Sequence, residues 1–203
     1  MSEAMFTVET MREHDTTAPA PGVLELVQRF MNLHEHNPRG AGDLPPSTEL
    51  VRGFLVDRGL LEEADRLTTR DMRRAMALYE ALHAKGLRNL GRPIPPDQIG
   101  VIEKAAHEAG LIPRFEPDGP PWLEPAAGGV TGALGRLVAI VFLAELDGSW
   151  ASMKECGDPR CRSTFFDRSK NHSGRWCSMS RCGNRAKARA WRERRSDRDD
   201  DRT

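Results

Sequence analysis

The spacing of apolar residues in the first 150 positions predicts a series of amphipathic helices. Residues 23–36 predict the first helix, because apolar side chains recur there about every third or fourth position. The side chains expected on its buried face are Val23, Val27, Phe30 and Met31.

Two further helix starts carry recognisable N-terminal signals. Ser47 is a preferred N-cap residue and predicts a second helix that ends near Gly59. Thr68 and Asp71 have the spacing of a capping box, with Asp in place of the usual Glu or Gln, and predict the start of a third helix. The apolar stripe expected along that helix is Met72, Ala75, Met76, Tyr79 and Leu82.

The same reasoning predicts helices over 97–109 and 131–147, each followed by glycine. The segment between them, 111–125, is rich in Pro and Gly and predicts one or two short strands. Residues 21–149 therefore predict one helical domain with its own core. The core positions expected in its last helix are Leu134, Leu137, Val138, Val141 and Phe142.

The two ends of the chain predict disorder, and the longest apolar run helps to predict where the protein is located. Residues 1–20 are polar and predict a disordered lead-in without the apolar centre of a secretory signal. The acidic tail, 196–203, also predicts disorder, with folding back over the basic segment as the alternative. The longest apolar run, 137–144, is shorter than the ~18–20 residues of a membrane span. We therefore expect a cytoplasmic protein with reduced thiols and no membrane partner.

The net charge of zero is the sum of two unlike parts. Residues 1–149 hold 15 Lys and Arg against 22 Asp and Glu, a net charge of −7. Residues 150–195 hold 13 against 4, a net charge of +9, and the tail carries −2. Four thiolates on one zinc ion would lower the middle figure by two, which leaves it strongly basic. This asymmetry predicts an anionic partner for the C-terminal part alone.

All four cysteines lie in the basic part, as Cys156-x4-Cys161 and Cys177-x4-Cys182. Two closely spaced thiol pairs about fifteen residues apart are typical of a structural zinc site, which we expect to hold one ion per chain. Two disulfides or unrelated buried thiols are the alternatives. A redox role is disfavoured because neither pair has the x2 spacing.

The residues around the cysteines predict a short β-hairpin followed by a helix. Residues 164–167 and 174–177 are the two expected strands, and His172 is expected in the turn between them rather than as a ligand. A basic, alanine-rich helix is expected over 184–195, with Asn184 as its cap. This layout is treble-clef-like. The predicted fold class is therefore mainly α, with a helical N-terminal domain and a small C-terminal zinc finger over 150–195.

Three segments of the finger, 167–171, 174–178 and 182–189, carry a family likeness, and the last of them opens with Cys182-Gly183-Asn184-Arg185. On these residues the finger resembles the bacterial CGNR zinc-finger proteins. That resemblance implies an N-terminal helical domain called ABATE, a role in stress-induced transcription regulation, and a finger that binds DNA. The N-terminal match is looser and rests on the helix of 24–32, on 59–61 and on 134–150.

The basic residues of the finger predict a nucleic-acid surface, most simply one for duplex DNA. Arg185, Arg189 and Arg192 have the spacing of one helix face, and Trp191 between them is expected to pack on its own module rather than stack on a base. RNA, or an acidic protein docked on the finger, are the alternatives. The full predicted set is Arg168, Lys170, Arg175, Arg185, Lys187, Arg189 and Arg192.

No catalytic motif is found in the sequence. It has no glycine-rich phosphate loop, no His-Glu zinc-hydrolase motif and no nucleophile elbow, and a four-thiolate site leaves zinc no open position for water. We therefore expect a regulator rather than an enzyme, with an unknown small-molecule or protein effector at the helical domain. We also expect the finger to fold only with metal and the helical domain to fold without it.

Overall fold

A computed structural model describes residues 17–34 and 44–200 of the 203-residue chain. Its longer helices are α1 (Leu24–Met31), α2 (Thr48–Asp57), α3 (Thr69–Arg88), α4 (Pro96–Ala109), α5 (Gly129–Leu146) and α6 (Asn184–Asp200). The described residues also form two antiparallel pairs of strands, β1 (Leu111–Glu116) with β2 (Gly119–Pro125) and β3 (Met153–Glu155) with β4 (Thr164–Phe166).

The caps predicted for α2 and α3 are confirmed. The Ser47 side chain accepts a hydrogen bond from the backbone N–H of Leu50 at 3.3 Å and opens α2. At the start of α3, the Asp71 N–H donates to Thr68 Oγ1 at 3.2 Å and the Thr68 N–H donates to Asp71 Oδ2 at 3.0 Å. These contacts satisfy N–H groups that the first helical turn leaves without partners.

The main core lies between α1, α3 and α5, and the predicted stripe of α3 faces it. Ala75, Tyr79 and Leu82 are buried, while Met72 and Met76 are partly buried against the same cluster. Other fully buried side chains of this core are Val27, Phe30, Met31, Leu55, Leu78 and Leu137.

Two residues predicted in the core lie outside it. Val23 is 69% exposed because α1 begins one residue later, and Leu24 takes the inward position. Phe142 is 49% exposed because it lies on the outer side of α5, whereas Leu137, Val138 and Val141 are buried. The first helix is also shorter than predicted, since α1 ends at Met31 and residues 35–43 lie outside the described part.

The β1–β2 hairpin occupies the segment predicted to hold one or two strands, with Arg114 opposite Trp122. It packs against the first half of α5, where Gly135 permits a close approach. A Cβ atom at Gly135 would lie 2.3 Å from the Cβ of Ala109, so a larger residue would push α4 away from α5.

By length and composition, α5 is long and apolar enough to cross a membrane, with a mean hydropathy of 1.7. More than half of it, 56%, is nevertheless buried inside the protein. The core helix of a soluble protein has the same character, so this helix is weak support for a membrane span.

The β3–β4 ribbon is built into the helical core rather than into a separate finger. Trp150 and Met153 are buried in the same cluster as α1 and α3. The Asn32 side chain completes the edge of β4, because its Oδ1 accepts from the Thr164 N–H at 2.7 Å and its Nδ2 donates to the Thr164 carbonyl at 2.9 Å. The core of the helical domain therefore continues past residue 149.

The predicted hairpin has one correct strand and one wrong partner. Residues 164–166 form β4, but β3 pairs with it and 174–177 are irregular. That irregular segment is held by other bonds: the Gly157 N–H donates to the Arg175 carbonyl at 2.8 Å, and Lys154 Nζ donates to the Gly174 carbonyl at 3.2 Å. The last helix is also longer than predicted and includes 196–200 of the tail expected to be disordered.

Candidate metal centre and basic surface

The structure brings the four predicted ligands together. Their Sγ atoms all lie within 4.8 Å of one another, with Cys177 3.6 Å from both Cys161 and Cys182. Zinc–sulfur bonds of about 2.3 Å in a tetrahedron place the sulfurs about 3.8 Å apart. The separations thus fit one tetrahedral zinc ion per chain. Within the described residues the thiols are free, so the structure contains no disulfide between them.

Each cysteine pair is positioned by a tight backbone turn. Cys156 follows β3 and donates its N–H to the Ser163 carbonyl at 2.9 Å, while the Cys161 N–H donates to the Asp158 carbonyl at 2.8 Å. Of the second pair, Cys182 lies on a π-helical turn, Met179–Gly183, and its N–H donates to the Ser178 carbonyl at 2.9 Å. These bonds aim all four sulfurs at a common centre.

The electrostatics of the four thiols favour a bound cation. Burial, with the charges of Cys161 and Cys156, raises the pKa of Cys182 to about 12. Hydrogen bonds with Cys156 and Cys161 raise the pKa of Cys177 far above its usual range. Four thiolates at this spacing repel one another, and a divalent ion removes that repulsion as the protons leave. A closed set of four sulfurs gives zinc a structural role.

A buried carboxylate that the sequence analysis missed joins the metal site to α6. Asp158 is fully buried and accepts a hydrogen bond from Arg185 Nε at 2.6 Å, with Arg189 Nη1 3.6 Å away. Burial works to raise the pKa of Asp158, but the bond from Arg185 outweighs it and the pKa is lowered. The sequence signal was an acid between the first two cysteines and an arginine three residues after the last.

Arg185 also belongs to the metal site itself. Its Nη2 donates to Cys182 Sγ at 3.0 Å, which stabilises the charged form of that ligand. The prediction that Arg185, Arg189 and Arg192 share one outward face is therefore wrong for Arg185 and Arg189. Arg185 and Arg189 turn towards Asp158, and both side chains are only partly exposed.

Each residue of the run from Cys182 to Arg185 has a separate structural role. Cys182 is a ligand, and Gly183 leaves room for its neighbours, since a Cβ there would lie 2.8 Å from Met179 Sδ. Asn184 Nδ2 donates to the Ser180 carbonyl at 3.0 Å and holds the π-helical turn against the start of α6. Arg185 ties the helix to Asp158.

The remaining predicted basic residues are exposed. Arg168 lies over the Phe166 ring and donates to the Pro19 carbonyl at 2.6 Å, so it also fastens the N-terminal segment to the finger. His172 has a φ of 46° and lies in the turn, as expected, with its Nδ1 3.0 Å from Ser152 Oγ. The other exposed members of the predicted set are Lys170, Arg175, Lys187 and Arg192.

The outer side of α6 carries a surface that we call the basic face, made of Lys187, Trp191, Arg194 and Arg195. All four side chains are exposed. Trp191 is 55% exposed with Arg195 over its ring at 5.4 Å, so the expectation that it packs on its own module is wrong. The reason is the direction of α6, whose inner side is set by the contacts of Arg185 and Arg189 with Asp158.

Replacing Arg185 by Gln is expected to lower zinc affinity about 10–100-fold, the usual effect of removing a group that supports a metal ligand. The change removes the charge beside Cys182 Sγ and leaves Asp158 buried without its closest cation. Competition with a chromophoric chelator measures the effect. Arg192→Gln is the matched control, because Arg192 is exposed on the same helix and contacts neither group. Equal affinities of the two variants would show that Arg185 does not support the site.

Comparisons with known proteins place both halves of the chain. The family model described as "CGNR zinc finger" matches residues 152–195. The ABATE model, described as "Putative stress-induced transcription regulator", matches residues 24–147, more than half of the chain. A search of curated proteins gives no match. The chain therefore belongs to the ABATE family and carries a CGNR zinc finger with one zinc site.

Proposed function

We propose that this protein is a cytoplasmic bacterial transcription regulator that binds duplex DNA through the basic face of α6. The main support is that Lys187, Arg194 and Arg195 are exposed and, among the side chains that the structure describes, unpaired. None of them lies within ion-pair distance of a carboxylate among the side chains that the structure describes. Unpaired cations along one helix are available for phosphates.

The zinc site supports this role by fixing the direction of α6. Cys182 lies in the turn that leads into the helix, and Arg185 holds the first helical turn against Asp158. A helix anchored at one end presents its outer side without the entropy cost of ordering it on binding. Exposed Lys170 and Arg175 extend the same charge along the finger.

Trp191 gives the surface a contact that charge alone does not. An exposed Trp beside Arg195 can stack on a base or pack against sugars while its neighbours bind phosphates. The same side chain supports the second candidate function, docking of an acidic protein, since Trp and Arg are common hot-spot residues at protein interfaces.

The proposal includes a regulatory rather than an enzymatic role. A closed four-sulfur site is suited to holding a fold, and cysteines that bind metal rather than pair with each other are typical of a reducing compartment such as the cytoplasm. The family description supports the regulatory role.

The test is duplex binding by a double charge reversal, Lys187→Glu with Arg194→Glu. We expect the affinity to fall by about 100-fold or more at low salt, because phosphate contacts become repulsions. Zinc content should stay at one per chain, since neither side chain contacts the thiols. The wild-type affinity should fall with salt, with a log–log slope of about −0.9 for each phosphate contact. Fluorescence anisotropy with a random 20-base-pair duplex measures both.

The matched control is Arg58→Glu with Arg92→Glu, which makes the same change in net charge at exposed sites on the helical domain. Equal loss in both doubles would mean that net charge alone governs binding, against a specific face. No wild-type affinity for duplex at low salt would favour the protein-docking function. Tighter binding to single-stranded RNA of equal length would replace DNA with RNA as the partner.

A further inference from the structure

A cleft between α3, α4 and α5 of the helical domain has the composition of a ligand site. Its volume is about 300 Å³, at the lower end of the ~300–1,000 Å³ typical of small-molecule pockets. The floor is apolar and consists of Ala77, Val101, Ala105 and Leu134.

The rim of the cleft is cationic. Arg70 and Arg73 rise from α3 and Lys104 rises from α4. Within the described part of the chain, none of the three makes a hydrogen bond or an ion pair with a carboxylate. All three side chains are exposed at the mouth of the cleft.

The other charged groups at the cleft are already engaged. Arg74 Nη2 binds Glu108 Oε2 at 2.6 Å, and Arg74 Nη1 donates to Thr131 Oγ1 at 2.9 Å. Asp71 is the capping-box partner of Thr68. The lining of the cleft itself holds four cations against one carboxylate, Glu108, and therefore keeps an excess of positive charge.

The positive charge of the cleft contrasts with the net negative charge of the surrounding domain, since residues 1–149 carry a net charge of −7. Arg70, Arg73 and Arg74 are three and four residues apart on one helix, a spacing at which like charges destabilise the helix. Lys104 brings a further positive charge from the facing helix. A bound anion would remove this repulsion.

The cleft continues into a wider and more polar recess. Arg70 and Arg74 line both parts, and the recess also reaches His107 and Thr131. Apolar lining residues therefore lie beside a cationic mouth. That arrangement fits a molecule with a charged head and an apolar body.

We propose that this cleft binds a small amphipathic organic anion, with a carboxylate or phosphate head at Arg70, Arg73 and Lys104. The apolar part of the ligand lies on the floor formed by Ala77, Val101 and Ala105. The site goes beyond the proposed DNA-binding function and does not depend on it, since it lies on the helical domain and uses none of the finger residues.

The test is binding of benzoate and phenyl phosphate to the zinc-loaded full-length protein, followed by calorimetry and by NMR shift perturbation. We expect both aromatic anions to bind with a dissociation constant on the order of 1 mM or tighter, as suits ligands of this size. Inorganic phosphate should bind more weakly for lack of an apolar body, and neutral benzyl alcohol should not bind. The ratio of benzoate to phenyl phosphate affinity identifies the preferred head group.

The variant Arg73→Gln with Lys104→Gln should weaken both aromatic anions at least about tenfold. Arg58→Gln with Arg92→Gln removes equal charge elsewhere on the domain and should leave binding unchanged. Ala105→Leu should fill the floor and weaken the aromatic anions more than inorganic phosphate, and thermal melting checks that each variant is folded. Equal affinities of the two charge variants overturn the proposal, as do benzyl alcohol binding as tightly as benzoate and a failure of both anions to bind. Failure here would leave the DNA result intact, because the two experiments share no variant.

Discussion

Replacing Cys182 by Ser is expected to abolish stoichiometric zinc binding and to unfold the zinc loops and the start of α6. The cluster around the sulfurs is small: buried Cys156, Cys161 and Cys182 pack with partly buried Trp176 and Cys177. A core of this size does not stabilise a fold alone, whereas a structural zinc ion contributes on the order of 10 kcal/mol or more of folding free energy at pH 7. Metal analysis should give about one zinc for the wild type and none that survives dialysis for the variant.

The helical domain should stay folded in this variant but become less stable. Cys156 and Cys161 lie in the loop between β3 and β4, while Met153 of β3 and Trp150 just before that strand are buried in the helical core. Opening the loop between the strands loosens those contacts, and we expect a loss of about 1–3 kcal/mol in the free energy of unfolding of α1–α5. The sequence alone predicted that this domain stays folded without the metal.

Thermal denaturation followed by circular dichroism measures that loss, with Ser180→Ala as the control in the same turn. A global loss of helix in Cys182→Ser would show that the helical domain depends on zinc for folding. An unchanged melting temperature would show that the ribbon and the zinc loops are independent. Two disulfides and no metal in the wild type would overturn the zinc site itself.

Features that depend on neighbours in the chain were predicted well. The caps at Ser47 and Thr68 need only residues three positions away, so local sequence decides them. The cysteine cluster belongs to the same class, because ligand type and short spacing are both visible in the sequence. Helix periodicity placed the stripe of α3 for the same reason.

Features set by distant residues were predicted poorly. The edge of β4 is satisfied by Asn32, which is 132 positions from Thr164, and no local signal announces that contact. The direction of Arg185 depends on Asp158, 27 positions earlier. In sequence, both pairs look like ordinary polar residues in basic or mixed surroundings. Because Arg185 faces Asp158, the opposite side of α6 faces outward and Trp191 is exposed.

The cationic cleft is another feature that local sequence does not predict. Arg70, Arg73 and Arg74 look like a solvated helix face in the sequence, and nothing distinguishes them from other exposed arginines. Only the packing of α4 against α3 and α5 places Lys104 opposite them over an apolar floor. Whether a cluster of charges lines a cleft therefore depends on the element that packs opposite it.

Removing the carboxylate of Asp167 is expected to have the second largest effect on stability. Asp167 and Lys154 form a buried ion pair with 2.7 Å between Oδ2 and Nζ, and their side chains are 4% and 3% exposed. Lys154 Nζ also donates to the carbonyls of His172 and Gly174, and the Asp167 carboxylate accepts from the N–H groups of Ser169 and Gly174. The pair therefore fastens the irregular segment before Cys177 to the β3–β4 ribbon.

Asp167→Ala should destabilise the zinc-loaded protein by about 3–5 kcal/mol, because it leaves the Lys154 ammonium buried without its counter-ion. Asp167→Asn should also destabilise it, while Lys154→Met combined with Asp167→Asn should recover much of the loss, since the amide oxygen still accepts from Gly174 and no charge stays unpaired. Asp118→Ala, at an exposed acid in the β1–β2 turn, is the control. A double variant no more stable than Asp167→Asn alone would contradict a charge-pair origin.

The effect should depend on pH in a direction fixed by the Asp167 carboxyl. Burial works to raise its pKa, but the hydrogen bond from Lys154 and those from Ser169 and Gly174 outweigh it and hold the pKa well below the usual range. A group whose pKa is lower in the folded state adds stability that is fully present above the unfolded pKa, near 4, and is lost as the pH falls through the folded pKa. Denaturation at pH 7 should thus show the full difference between wild type and Asp167→Asn, and denaturation at increasingly acidic pH should show a smaller one. A difference that stays constant from neutral to strongly acidic pH would mean that the carboxylate charge contributes nothing and that Asp167 acts only through its shape and its backbone contacts.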